Sequence, residues 1–170
     1  MGEASGGVSA GGLGVRLRPY EAADAAALSA LCRASVLGLG PSAYAPRQVA
    51  AWASRTPSPE ALASKVVASS LTLVAVSETG IPLGYVVLGE AGHLDHLYCA
   101  PEAAGQGVGG QLYGAVERAA RGLGVTRLFT EASEVARGFF HRRGFVILHR
   151  REIRIDEVVI HNWAMEKMLP

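Results

Sequence analysis

The stretch that most constrains this chain runs from Leu94 to Ala120, LDHLYCAPEAAGQGVGGQLYGAVERAA. A strand-like run ends at Cys99, and a glycine cluster (Gly105, Gly107, Gly109, Gly110) begins six residues later. An amphipathic helical pattern follows at once. Glycines let the backbone turn tightly and aim amide N–H groups at an anion, and a helix N-terminus adds partial positive charge. The segment is therefore suited to holding a phosphate. The fold around it must supply a strand, a loop and a helix in that order.

The rest of the chain supplies more strands. Val15–Arg18 alternates apolar and basic residues, and Pro19 ends that short strand. Asp24 stands where it can cap a helix over 25–36, with Leu28, Leu31, Cys32, Ser35 and Val36 on one face. Pro46 can open a second helix, and Ser58-Pro59-Glu60 reads as N-cap, N1 and N2 of a third. LTLVAVS (71–77) and IPLGYVVLGE (81–90), parted by the turn ETG, predict an antiparallel hairpin, and AGHLDHLYC continues it. After the glycine loop come a helix over 109–121, a strand over 125–133, a short helix over 134–144 and strands at FVILHR and HNWAMEKML. The order predicts an α/β (α+β) fold: a mixed, mostly antiparallel central sheet of about six to seven strands, helices on both faces, and one βαβ crossover at the glycine loop. Residues 1–13, rich in Gly, Ser and Ala, read as a disordered tail before a single domain over 14–170.

Composition narrows the partners. With 49% hydrophobic and 18% charged residues, 170 residues can bury one core. A net charge of +1 gives no basic field for nucleic acid or an anionic membrane. No apolar run approaches the roughly 18 residues of a membrane span, and the N-terminus lacks a signal-peptide pattern. Cys32 and Cys99 lie far apart in sequence, which suits a reducing cytoplasm. His93, Asp95 and His96 do not make a metal site, because strand alternation sets His96 on the opposite face and no fourth ligand is apparent.

Two phosphate-binding motifs can be weighed against the loop. A P-loop requires Lys-[Ser/Thr] after its last glycine, and here Gln111-Leu112 follow Gly110. Gly105–Gly110 satisfies the dinucleotide pattern G-x-G-x-x-G, and Glu131 lies about 20 residues on. Against that reading, Ala100–Ala104 separate strand from glycines, only one βαβ unit exists, and the preceding strands form a meander.

The chain resembles the GCN5-related N-acetyltransferase family. Cys99-Ala100-Pro101-Glu102 leading into Ala104-Gly105-Gln106-Gly107-Val108-Gly109 is similar to that family's strand, Pro-Glu turn and [QR]-x-x-G-x-[GA] loop. Ala136-Arg137-Gly138-Phe139-Phe140-His141-Arg142-Arg143-Gly144-Phe145 resembles its A-x-x-F-Y-x-x-x-G-F helix, and Met165-Glu166-Lys167 its final M-x-K strand. The element order matches from about residue 15 to the end. The resemblance implies an acyl-CoA N-acyltransferase-like fold, acetyl-CoA as donor and a primary amine, small-molecule or peptide, as acceptor. It implies that loop amides of Gly105, Gln106, Gly107, Val108, Gly109 and Gly110 cradle the pyrophosphate. Backbone groups near Leu97, Tyr98 and Cys99 would pair with the pantetheine arm as an added strand would. Two departures stand out. Ala104 occupies the usual Gln or Arg position, and Phe140 stands where a Tyr commonly protonates the leaving thiolate. A homodimer is compatible with such a fold.

Acetyl transfer needs an amine freed of its proton, hence a positioned base. The resemblance points to the strand before the Pro-Glu turn, where His93 and Asp95 alternate on one face with Leu97 and Cys99. Imidazole titrates at about pH 6.5, and Asp95 would orient the ring or hold the substrate ammonium. Glu131, at a strand end, would bind the amine, act as base, or simply be solvated. Ser133 would cap the following helix or touch the cofactor arm. Arg143 would reach a CoA phosphate or favour its helix C-terminus. Tyr98 reads as packing, and Cys99 as a small buried hydrophobe.

Overall fold

The computed structural model describes residues 14–170. The expected N-terminal tail, residues 1–13, lies outside them. Seven strands form two antiparallel sheets. Sheet A takes β1 (Arg16–Pro19), β2 (Leu71–Val76), β3 (Pro82–Leu88) and β4 (Leu94–Cys99) in that order. Sheet B takes β5 (Arg127–Ser133), β7 (Val158–Met168) and β6 (Val146–Ile155), with β7 central. The seven strands agree with the sequence reading, but they do not make one continuous sheet.

The helices follow their sequence signals. α1 (Ala25–Leu39) buries Leu28, Leu31, Cys32, Ser35 and Val36 and packs on β3 and β4. Asp24 does not cap it through its side chain. Its carboxylate instead takes the Arg18 guanidinium at 2.7 and 2.8 Å and the Glu21 N–H. The helical stretch Ala22–Ser42 is long and apolar enough to cross a membrane, which the sequence reading did not anticipate. Its apolar stripe is the one α1 buries against sheet A, as a core helix does. α2 (Pro46–Ala53) packs on β7, and α3 (Pro59–Val67) on α1. Ser58 Oγ caps α3 by accepting from the Ala61 N–H. α4 (Val108–Gly122) covers the other face of sheet A, and α5 (Glu134–His141) covers β5 and β7. The last two strands run further than their apolar segments suggested, joined by a turn in which Asp156 takes φ 51°.

The sheets meet at one place. His93 and Phe129 form a lone parallel bridge, and Thr130 Oγ1 donates to the Leu94 carbonyl at 2.8 Å. Gly92 is required there: its φ is +86°, and a Cβ would collide with the Arg127 carbonyl. Beyond this point β4 and β5 diverge. Both become edge strands facing a gap, and the functional residues gather around that gap.

Candidate active site

The edges of the gap carry unpaired backbone groups. Ala100 N–H bonds to the Leu83 carbonyl, so with the β3–β4 register Tyr98 and His96 also point their backbone groups into sheet A. Leu97 and Cys99 therefore point their N–H and C=O into the gap. On the other side, Leu169 N–H bonds to Thr126 O, and the β5–β7 register leaves Glu131 and Ser133 with backbone groups facing the gap.

One end of the gap is an elongated slot of about 420 Å³. Leu97, Tyr98 and Cys99 form one wall, Phe139 and Arg143 another, and the loop glycines its floor. Gly107 sits at φ +85° and precedes α4. The next three residues, Val108, Gly109 and Gly110, open the helix and have no intrahelical acceptor for their N–H groups. A Cβ on Gly109 would lie in ordinary contact with Phe139 and with Cys99 Sγ at 3.5 Å, and one on Gly110 would lie 2.8 Å from Arg143 Nη2, the far end of that side chain. Arg143 lies over the Phe139 ring at 3.5 Å and bonds to the Phe139 carbonyl. Desolvation, then the nearby Arg142, lowers its pKa, and a guanidinium keeps its charge.

Several residues marked in the sequence have other work. The Gln106 side chain turns back to the Glu102 carbonyl at 2.6 Å, and its N–H bonds to Ala103 O, so neither faces the slot. The Val108 side chain is buried in the core, leaving only its amide for a ligand. Phe140 is buried among Tyr113, Phe139 and Phe145 and borders the second cavity rather than the slot. Ser133 Oγ caps α5, accepting from the Ala136 N–H at 3.2 Å, while the residue still borders the slot. Burial pushes the Cys99 thiol up to about 11, so it stays protonated and is no nucleophile.

The other end opens into a cavity of about 200 Å³. Tyr44, Trp52, Ile153 and Ile160 give it apolar walls, and Asp95, Glu131, His161 and Asn162 its polar ones. Slot and cavity share Trp52, Leu97, Tyr98, Ser133 and Ala136, so they adjoin along one wall.

The expected pairing of His93 with Asp95 is not what forms. The β3–β4 register steps from Val87↔His96 to Leu88↔Leu94, so Asp95 is a bulged extra residue and strand alternation breaks there. Asp95 instead binds Lys65 of α3. Burial raises its pKa, but the Lys65 hydrogen bond and neighbouring positive charge outweigh that and hold it below the usual carboxylate range. His93 stacks on Phe129 and sets Nε2 2.7 Å from Glu131 Oε2 across the junction of the sheets. Glu131 borders the cavity, with 36% of its side chain accessible, and His93 stands behind it. His96 points the other way, 2.9 Å from the Tyr85 hydroxyl, and burial lowers its pKa to about 4.

A second cluster escaped the sequence reading. Glu134, first residue of α5, accepts from Trp163 Nε1 at 2.6 Å and pairs with His161 at 2.9 Å and Arg137 at 2.8 Å. Tyr44 Oη donates to the His161 carbonyl and accepts the Glu134 N–H. These residues are scattered over the chain, and only their spatial meeting marks them. They fix the cavity wall to the start of α5.

The Acetyltransferase (GNAT) domain model matches residues 41–167. The chain belongs to the GCN5-related N-acetyltransferase family. Among solved structures it is similar to a GCN5-related N-acetyltransferase from Rhodopseudomonas palustris, with 35% identity, TM-score 0.84, and 92% of this chain and 96% of that one covered. The PaiA N-acetyltransferase from Thermoplasma acidophilum, solved with coenzyme A, is 20% identical with TM-score 0.74 over 92% of this chain and all of that one, 100%. A phosphinothricin acetyltransferase from Sinorhizobium meliloti, solved with acetyl-CoA, is 21% identical with TM-score 0.71, covering 91% and 88%. No curated protein matches the sequence.

Proposed function

We propose that residues 14–170 form one N-acetyltransferase domain that moves an acetyl group from acetyl-CoA to a primary amine by direct attack. The observation that carries this reading is the meeting of the two spaces. A slot floored by the amides at the start of α4 adjoins a cavity bearing a paired carboxylate, and Leu97, Tyr98 and Ser133 border both.

The residues present fit the donor. The amides of Val108, Gly109 and Gly110 and the positive end of α4 suit a pyrophosphate, with the Arg143 cation beside them. The outward backbone groups of Leu97 and Cys99 suit the amides of a pantetheine arm. Bound there, acetyl-CoA supplies the thioester whose carbonyl the amine attacks, the C–N bond forming as the C–S bond breaks. Ala104 brings no side-chain donor to the loop, and Arg142 and Arg143 at the end of α5 supply positive charge at the slot instead.

On the acceptor side, Glu131 receives the amine and takes its proton, and its solvent-accessible face returns that proton to water. His93 is a positioning residue, fixing the carboxylate at 2.7 Å. Asp95, held by Lys65, adds negative charge to the cavity that favours an ammonium over an anion. Phe140 cannot donate a proton, and a free thiol's pKa of about 8.5 lets the thiolate leave without one. The protonated Cys99 supports direct transfer over an acyl-enzyme. Two free cysteines, Cys32 buried and Cys99 half-buried, suit a cytoplasmic setting.

Acetyl-CoA consumption with a panel of primary amines tests the reading. Turnover of at least one amine supports it. Coenzyme A binding without turnover on any amine would instead make the chain an acyl-CoA-binding module, the alternative that Phe140 favours.

A further inference from the structure

The proposed acceptor cavity has a wall whose composition restricts what can fill it. α2 buries Val49 and Ala53, which leaves Trp52 half-buried against the cavity. The Trp52 ring meets Tyr44 edge to face, with centroids 5.6 Å apart. From the other side β6 brings Ile153 and Ile155, and β7 brings Ile160. All five belong to one apolar cluster, in which Tyr44, Ile155 and Ile160 are buried while Trp52 and Ile153 keep accessible surface. An occupant therefore meets carbon over that side.

Most polar groups on the cavity are committed within the protein. The Thr130 hydroxyl donates to the Leu94 carbonyl, and Ser133 Oγ accepts from the Ala136 N–H. The Tyr44 hydroxyl is held between the His161 carbonyl and the Glu134 N–H, and His161 Nε2 is paired with Glu134. Asn162 Oδ1 is closed to water and beyond a ligand's reach. Asp95 carries Lys65, so it is no free anchor for a second ammonium. Glu131 is the more open of the two carboxylates, with 36% of its side chain accessible against 26% for Asp95. Burying a hydroxyl or a second charge against such a wall strips its water and returns no partner, whereas burying a methylene is favourable. One open carboxylate beside an apolar wall suits a ligand fixed at one polar group and read elsewhere by shape.

We infer that the acceptor is a compact primary amine with an apolar body, and that Trp52 sets this preference. The inference rests on the acetyltransferase reading, which puts the nitrogen at Glu131. Trp52 borders the slot as well as the cavity, so it stands at the boundary that donor and acceptor share. An apolar cavity of about 150 Å³ takes up benzene. At about 200 Å³, this one has room for a body of that size.

The test compares isosteres. Pentylamine, 4-aminobutan-1-ol and 1,4-diaminobutane differ only in whether a methyl, a hydroxyl or an ammonium ends the chain. In calorimetric titration of coenzyme A-saturated protein, pentylamine is expected to bind at least about tenfold more tightly than either polar analogue. In Trp52→Ala, which opens the wall to water, that ratio falls below about threefold, and Trp52→Phe restores most of it. A merely structural role for Trp52 would weaken all three amines alike and leave the ratio unchanged. Equal or tighter binding of a polar analogue overturns the inference. So does a ratio that survives in Trp52→Ala, or no binding of any of the three. Should Trp52→Ala fail to fold, Trp52→Gln carries the same comparison. Product formation separates the two readings. Selective binding of pentylamine without its acetylation sinks the transferase reading alone, whereas acetylation of all three amines at equal kcat/KM sinks the apolar acceptor alone.

Discussion

The two arms of the site are made of different material. The proposed donor slot is written in backbone: outward amides of β4, N–H groups at the start of α4, and glycines packed against Cys99, Phe139 and Arg143. The acceptor cavity is written in side chains from several elements: Trp52 of α2, Glu131 of β5, Ile153 of β6 and Asn162 of β7. A backbone site tolerates many side chains but demands glycine, order and spacing. A side-chain site is defined by identities at positions far apart in the chain, and those can change one at a time.

The comparison is sharpest at Glu131. Glu131→Gln should lower kcat/KM for a competent amine by about 10² to 10⁴ while leaving acetyl-CoA affinity within about twofold, read from steady-state kinetics and calorimetry. His93→Ala should cost less, because His93 acts through Glu131. A larger loss in His93→Ala than in Glu131→Gln would reverse their roles.

The strand that bears the donor wall carries its own pH signature. His96 behind β4 is held neutral by burial down to about pH 4, against the opposing pull of Asp95. Between roughly pH 6.5 and pH 4 the unfolded chain binds the extra proton, so stability falls as pH drops through that window, by about 3 kcal/mol in all. Denaturant midpoints across this range should lose most of that slope in His96→Gln. An unchanged slope would place the acid sensitivity elsewhere.

Filling the backbone site from within is the next effect in size. Gly109→Val sets two methyl groups where Cys99 Sγ and Phe139 already stand 3.5 and 3.4 Å from a Cβ. Acetyl-CoA affinity should fall by tenfold to a hundredfold, about 1.4–2.7 kcal/mol, with the thermal midpoint shifted by only a few degrees. Arg143→Met should have the smallest effect, a loss of roughly threefold to tenfold in coenzyme A affinity that shrinks as salt rises. A salt-independent loss would mean that Arg143 acts only through its stacking on Phe139.

The same contrast explains what was legible in the sequence. The helix stripes, the Ser58 cap and the order of elements follow from local periodicity, and the glycine loop from conformational need. The bulge at Asp95 was hidden, because nothing within LDHLYC marks an extra residue and only its partner strand shows one. That one bulge moved Asp95 to Lys65 and left His93 to Glu131, 38 residues away in sequence. Asp24 looked like a cap but found Arg18, a stronger partner than an amide. Glu134, His161 and Trp163 carry no motif.

Calorimetric titration of the purified protein with acetyl-CoA, with NADH as the control, tests the central claim most directly. Micromolar binding of acetyl-CoA at one site per chain, with no heat from NADH, is the predicted result. An absence of acetyl-CoA binding, or NADH binding that coenzyme A displaces, would contradict the assignment of the β4–α4 slot to the acetyl donor.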